Sequence, residues 1–377
     1  MSNEHLNEKK EPLIHIVRRA VLPLPKKLLV YVAATVLGLL ISSLICVAFA
    51  PGHSPIEYFS TMFNGAFGSE RKVWLLLQDM ALLLGVAVAL VPAFKMKFWN
   101  LGGNGQVLAG CLASIACMYY LGTKTNGAVP DPIIIVCMLV SSVLAGVLFA
   151  ILPAIFKALF GTNESLFTLM MNYIAEGLVA MFITIWVKSG SGVLTPIAYG
   201  NVPEIGNNYL LTIILFFSLA IGMHFYLRYS KHGYELTVVG ESVNTAKYVG
   251  INVKKVILRT MILSGAIAGL VGFIIAGSIQ HTVSISAHNN LGFTAIMAAW
   301  LAEFNPLIMF VSSFFITFVS KGMSQVRRDF GFNDSSVANT VIGIIYFCVI
   351  ACSFFINYKV VFRQKKKPAE VAAKKEG

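Results

Sequence analysis

Amides, hydroxyls and glycines set inside long apolar runs are the residues of this chain best equipped to act on another molecule. The segment Phe98-Trp-Asn-Leu-Gly-Gly-Asn-Gly-Gln-Val-Leu-Ala-Gly110 places Asn100, Asn104 and Gln106 among Gly102, Gly103 and Gly105. Backbone N–H and C=O groups cannot be left bare in lipid, so a helix broken here must line a cavity or be buried in protein. A glycine-rich face can equally serve to let helices approach closely. A second segment, Gly161–Ala175, opens with Thr162 or Asn163 as a helix cap and Glu164 in the first turn. Thr168 and Asn172 follow four residues apart and share a face. That face meets a hydroxylated solute or hydrogen-bonds another helix; the letters allow both. Carboxylates within apolar runs are functional suspects by default, and Asp79 and Glu176 qualify. Asp79 lies close to the outer end of its run, where solvation also explains it, and Glu303 sits at a break.

This set suits binding rather than covalent chemistry. Amides, hydroxyls and the ring of Tyr173 fit a neutral, polar, ring-bearing solute. A membrane-embedded transferase would need a His or acid cluster at a membrane face, and the seven histidines are scattered. All six cysteines lie in apolar runs, so they read as small buried hydrophobes, with no metal site and no disulfide framework. The sequence holds no Gly-x-x-x-x-Gly-Lys-[Ser/Thr] phosphate loop. This chain is therefore expected to bind no cofactor, and any ATP is used by a partner.

The elements that must position these residues are transmembrane helices. The 377 residues are 57% hydrophobic and 12% charged, with a mean hydropathy of +0.76; a soluble protein carries about 25% charged residues. With about 20 residues to a crossing, spans are expected at 28–50, 73–94, 101–121, 132–155, 165–187, 209–227, 257–277, 291–304, 306–320 and 338–357. The fold class is all-α, a polytopic transmembrane bundle of about ten spans (8–10) with broken or half helices. Spans eight and nine, parted by Asn305-Pro306, are two half helices meeting inside the membrane or one kinked span. The first run, 28–50, is too long for a signal peptide and is followed by Pro51, so it is expected to remain as a span.

Charge orients the bundle. With both termini cytoplasmic, 22 of the 29 Lys and Arg residues fall inside. The net charge of +12 thus reflects orientation and does not imply nucleic acid. The resulting division is a cytoplasmic tail 1–27, a membrane domain 28–357 with a cytoplasmic loop 228–256, and a cytoplasmic tail 358–377. The stretches 1–25 and 364–377 are expected to be disordered, and 51–72 and 188–208 to be the longest outer loops, the second as coil. Within the loop, Ser242 or Asn244 can cap a short helix to about Val249, with Gly250 as its stop. Its apolar members Val243, Ala246 and Val249 face a partner or fold back on the membrane part.

Several blocks in order over residues 50–310 resemble the permease subunit of ATP-binding-cassette importers of the ribose/galactose/nucleoside branch. Ser54-Pro-Ile-Glu-Tyr-Phe with Asn64-Gly-Ala-Phe-Gly-Ser69 is similar to that family's first outer loop. Asn100-Leu-Gly-Gly-Asn-Gly-Gln106 resembles Asn-Ile-Gly-Ala-Glu-Gly-Gln, and Thr168-Leu-Met-Met-Asn-Tyr-Ile174 resembles Thr-Leu-Met-x-Asn-Tyr-Ile. Gly233–Lys255 resembles the cytoplasmic Gly-Tyr-Glu-Leu-Arg-Ala-Val-Gly loop, and Ser264–Gly272, Gly292–Ile296 and Asn305-Pro306 the last third. The length and first outer loop resemble the longer of two paired nucleoside permeases. Departures are Asn104 for the usual Glu, Thr237 for Arg, and Val243-Asn244 for Asn-Pro.

The resemblance implies inward passage of a nucleoside or related sugar-bearing solute through a multi-pass protein of the bacterial plasma membrane. It implies separate ATPase subunits, a second and non-identical permease, and an extracellular solute-binding lipoprotein. Candidate path residues are Asn100, Asn104, Gln106, Thr168, Asn172, Tyr173 and Glu176. ATPase coupling falls to Gly233, Glu235, Gly240, Val243, Ala246, Tyr248, Val249 and Gly250. The rival is an ion-coupled secondary transporter using Asp79 or Glu176, which an uncoupler of the proton gradient would stop.

Overall fold

The computed structural model describes residues 14–18, 23–50, 52–187, 192–332 and 335–362. Each expected span is a helix. In chain order the helices are α1 (Leu24–Phe49), α2 (Pro55–Phe67), α3 (Glu70–Lys95), α4 (Gly103–Cys117), α5 (Asp131–Phe160), α6 (Glu164–Trp186) and α7 (Leu210–Tyr229). They continue as α8 (Lys231–Glu241), α9 (Val243–Tyr248), α10 (Val253–Ile274), α11 (Leu291–Leu301), α12 (Ile308–Asp329) and α13 (Ser335–Asn357). Single π turns prolong α4 through Met118–Thr123 and α10 through Ile275–Gln280. Among the described residues, seven helices are long and apolar enough to cross a membrane. Of the remaining three expected spans, α11 has 11 residues, α12 carries Lys321, Arg327 and Arg328 toward its C-terminal end, and the apolar part of α13 is Asn339–Cys352.

Two expectations change. The stretch 51–72, expected as an outer loop, contains α2, whose first turn carries Glu57. It is amphipathic, with Tyr58, Met62 and Ala66 buried on one face and Ile56 and Phe63 exposed on the other. The first tail is not wholly coil: strand β1 (Ile14–Arg18) pairs antiparallel with β2 (Tyr358–Phe362), Ile14 opposite Phe362. Both strands are rich in β-branched and aromatic residues, which fit a pleated ribbon. Residues 1–13, 188–191 and 363–377 lie outside the described residues, so the remainder of both tails and that part of the outer loop are not addressed. Of the two alternatives at Asn305-Pro306 the chain takes the break rather than the kink: Glu303 and Phe304 both take positive φ, 49° and 58°.

The chain divides into two compact units, residues 1–59 with 330–377, and residues 60–329. In the first, α1 lies on α13, with Gly38 directly against the backbone of Ile345. Tyr58 shares a 2.7 Å hydrogen bond with Ser42, and the ring of His53 stacks on Phe330 at 4.0 Å.

The second unit is built around α3, which is buried on all sides from Met80 to Phe94; a helix apolar all round belongs in a core. Beside it α10 packs on α4 and α5 through small residues. A Cβ at Gly110 would stand 2.8 Å from the carbonyl oxygen of Gly269, and one at Gly269 would strike that of Ser142. In lipid, where tails are as apolar as leucine, such close backbone approach supplies the packing energy.

Candidate functional site

The glycine block begins a helix deep in the second unit. Residues 98–102 are non-helical and α4 starts at Gly103. The N–H groups of a first helical turn have no partner in their own helix, and here side chains from elsewhere supply them. Asn172 on α6 accepts from Gly105 N–H at 2.7 Å and donates to Leu101 C=O at 3.0 Å. Thr168 accepts from Leu101 N–H at 3.0 Å. Asn100 accepts from Gly102 N–H at 3.1 Å and from the Gln106 amide at 3.2 Å, and its own amide is 3.4 Å from the Ser264 hydroxyl. Asn104 accepts from Gly292 N–H at 2.7 Å, clamping the first turn of α11 to the first turn of α4.

Five of the seven candidate path residues, Asn100, Asn104, Gln106, Thr168 and Asn172, are therefore buried and bonded to backbone or to each other. None of the five is among the residues lining the cavity described below. Apart from Gln106, which bonds Asn100, they bond backbone groups that a helix starting inside the membrane would otherwise leave bare. Gly102, Gly103 and Gly105 all have ordinary negative φ. What they supply is proximity: a Cβ at Gly105 would lie 2.9 Å from Asn172 Cα, one at Gly103 3.2 Å from Gly292 Cα, and one at Gly102 3.0 Å from Thr168 O.

The other two candidates differ. Tyr173 is 60% exposed. Glu176 is 32% exposed and stands 3.7 Å from Nε2 of His288, a residue of the non-helical stretch between α10 and α11. With 11 residues, α11 is about 16 Å long, half of a ~30 Å hydrocarbon core. Its end at Trp300 and Phe304 touches Trp99 and Phe94, so its start at Gly292 lies near mid-depth. Of the two half helices expected to meet at Asn305-Pro306, α11 is short with its buried end at Gly292, whereas α12 runs 22 residues.

Above that start lies a cavity of about 180 Å³. Its polar lining is Asp79 from α3, Gln280, Asn289, Thr294, and Thr317 with Ser320 from α12. Asp79 is ion-paired with Lys321 of α12, so its charge is neutralised within the protein. The sequence reading missed Gln280, Asn289, Thr294, Thr317 and Ser320. The triplet His288-Asn289-Asn290 between two apolar runs was the signal, and Asn289 and Asn290 both take left-handed φ there.

On the loop 228–256 the structure has two helices where one was expected. Ser230 caps α8 through Gly233 N–H and Ser242 caps α9 through Thr245 N–H; Gly250 takes φ +84°. Gly233 would collide through a Cβ with Leu227 O, and Gly240 with Lys95 O. Glu235 binds Arg259 at 2.9 Å. Of the two alternatives for the apolar side of α9, Ala246 takes the folded-back one: it is fully buried, whereas Val243, Tyr248 and Val249 are 46%, 93% and 60% exposed.

Burial holds His232 below the ordinary imidazole pKa, with the Arg259 charge acting in the same direction. Its ring lies 2.7 Å from the Tyr226 hydroxyl and 3.0 Å from Thr260 Oγ1.

The family described as "Branched-chain amino acid transport system / permease component" matches residues 72–350. The nucleoside ABC transporter permease protein NupB of Lactococcus lactis is 27% identical, aligned over 93% of this chain and 98% of its own. The guanosine ABC transporter permease protein NupP of Bacillus subtilis is 30% identical over 91% of this chain and 98% of its own. Another guanosine permease protein of B. subtilis, NupQ, is 24% identical over 55% of this chain and 67% of its own. A family match across most of the sequence, joined to a 30% identical relative aligned along almost its full length, establishes kinship: the chain belongs to the permease components of this transport family.

Proposed function

We propose that this permease passes nucleosides, or related neutral sugar-bearing solutes, inward across the bacterial plasma membrane. The observation that carries the reading is the alignment of over nine-tenths of the chain with two permeases named for nucleosides. The chemistry of the cavity agrees with it. Amides and hydroxyls line the space, and its one charged lining residue, Asp79, is already paired with Lys321. Such a lining favours a neutral hydrogen-bonding solute over a phosphorylated one, which would call for an unpaired Arg or Lys.

A permease of this kind needs no covalent step. It needs two states, opening to opposite sides, and a partner that binds one better than the other. In our reading that partner is a separate ATPase bound at α8 and α9, with Val243, Tyr248, Val249 and Gly250 making contact. Gly233, Glu235, Gly240 and Ala246 then hold the loop to the membrane helices, so that closure of the ATPases moves α3, α7 and α10. Both termini face the cytoplasm. A second, non-identical permease completes the path, as suggested by the similarity of this chain to both NupP and NupQ. A solute-binding lipoprotein delivers cargo from outside. Nothing favours ion coupling through Asp79, whose charge is matched by Lys321.

The test is uptake of radiolabelled nucleosides by proteoliposomes holding the complete transporter. Uptake should require ATP inside the cell-facing compartment, ignore a protonophore, and be competed by nucleosides but not by nucleoside monophosphates. Uptake that collapses with the protonophore while ATP is intact would sink the reading.

A further inference from the structure

We propose that Tyr173 and Glu176 form the pair that reads the nucleobase during passage, with Glu176 selecting bases that offer two adjacent N–H donors. The inference rests on the nucleoside reading above and names the specificity-determining residues within it.

Depth comes first. Glu176 is 12 residues beyond the start of a 23-residue helix, about 18 Å along its axis and so midway through the hydrocarbon. A carboxylate 32% exposed at that depth does not face lipid; it borders water or protein. The same side of α6 carries Tyr173, 60% exposed, and Gly177, where a Cβ would find no atom within 4 Å. Tyr173 and Gly177 lie one turn apart, so a flat ring stacked on the tyrosine would rest over the bare glycine, with Glu176 at its edge.

Hydrogen-bonding capacity points the same way. The five buried candidates have spent theirs on backbone or on other side chains of the cluster, as described above. Glu176 has done so only in part: one carboxylate oxygen faces Nε2 of His288 at 3.7 Å, and 32% of the side chain stays exposed. Nδ1 of that histidine accepts from Asn290 N–H at 3.0 Å, which leaves Nε2 to carry the ring proton and only donors on that side. An ionised carboxylate accepts and never donates, and it can take two parallel N–H bonds. Guanine offers such a pair on one edge, N1–H beside N2–H. Inosine's base offers only N1–H, and adenine offers a donor beside an acceptor, the pattern a primary amide matches.

The experiment is a specificity exchange. Proteoliposomes with the complete transporter are given guanosine, inosine and adenosine at concentrations saturating the binding protein, so the maximal rate reports passage rather than capture. The wild type should favour guanosine over inosine over adenosine. Glu176→Gln should move the guanosine-to-adenosine ratio of maximal rates toward adenosine by about tenfold, within the range of one bidentate contact. Because a ratio is read, a smaller amount of folded variant cancels. Should that variant not assemble, Glu176→Asp should keep the guanosine preference and Tyr173→Leu should slow all three while leaving their order. An unchanged ratio in Glu176→Gln, or a lost preference in Glu176→Asp, would overturn the assignment. Failure of the wild type to move any nucleoside would instead remove the underlying function.

Discussion

The start of α4 and the loop carrying α8 and α9 are both crowded with glycine and small polar residues, yet they use them in opposite ways. At α4, Asn100, Asn104, Thr168 and Asn172 are buried and bonded to backbone groups inside the membrane. On the loop, Gly233, Gly240 and Ala246 face inward and make room, while Tyr248 and Val249 project into open space. The difference follows from solvent. Inside hydrocarbon an unpaired N–H has no water to turn to, so polar side chains are recruited by the backbone. On a loop outside the hydrocarbon water satisfies the backbone, so exposed apolar side chains remain to be explained by a partner.

The largest effect expected from breaking this contrast is at the buried amide. Asn172→Leu strands Gly105 N–H and Leu101 C=O together, at about 1–3 kcal/mol for each group. Uptake and the amount of folded protein should fall in step, with a lower melting temperature in detergent. A variant that folds as wild type but transports nothing would return Asn172 to the solute path. Gly105→Ala should behave alike, since its Cβ would press on Asn172 Cα at 2.9 Å.

Next in size is the loop. Tyr248→Glu should leave folding and melting untouched and lower solute-stimulated ATP hydrolysis about tenfold, as loss of an exposed anchor does. Ala246→Arg should fail in the other manner, losing folded protein, because the residue is fully buried. Equal behaviour of the two variants would erase the distinction between the inner and outer faces of α9.

The helices themselves were legible because twenty-residue apolar runs leave little choice: each of the ten runs is a helix, and breaks fall at the glycines, Gly161 and Asn305-Pro306. What could not be read was direction. Thr168 and Asn172 share a face in the sequence, but whether that face meets a cavity or another backbone depends on where α4 begins, which is a tertiary fact. Ala246 shows the same limit, since spacing of three marks an apolar side without saying whether the side is covered. α2 escaped notice because its amphipathic pattern is short, and the β1–β2 ribbon because its strands lie far apart in sequence. The cavity residues Thr317 and Ser320 were hidden as ordinary hydroxyls in an apolar run.

A smaller effect is expected at the ion pair of Asp79 and Lys321. Their side chains are 39% and 30% exposed, so the pair contributes no more than about 1 kcal/mol once screened. Asp79→Asn should lower the melting temperature slightly, and the double exchange Asp79→Lys with Lys321→Asp should recover part of the loss. Uptake by Asp79→Asn should remain insensitive to a protonophore. If instead Asp79→Asn abolished uptake at full stability and the double exchange restored none of it, the carboxylate itself would be a transport group.

The smallest effect expected is a pH dependence at the root of the loop. His232 is buried between Tyr226 on α7 and Thr260 on α10. Thr260 gives its own proton to Val256 C=O at 2.7 Å, so its oxygen is left to accept from His232 Nε2–H, and Nδ1 accepts from the Tyr226 hydroxyl. This arrangement satisfies both nitrogens of the neutral ring. Burial, aided by Arg259, accordingly lowers its pKa, against smaller opposing contributions from Glu235 and a backbone hydrogen bond at Val256. When the folded pKa lies below the unfolded one, the unfolded chain binds more protons between the two values, and stability rises with pH across that window. The contribution is complete above about pH 6.5, the ordinary imidazole value, and is lost as pH falls from there through the folded pKa. Melting of the purified complex should therefore decline more steeply below pH 6.5 in the wild type than in His232→Gln, whose side chain can donate and accept but does not titrate. Tyr226→Phe removes the hydroxyl that Nδ1 accepts from and should lessen the decline as well. Parallel pH profiles in all three proteins would show that the joint between loop and helices is indifferent to the proton on this ring.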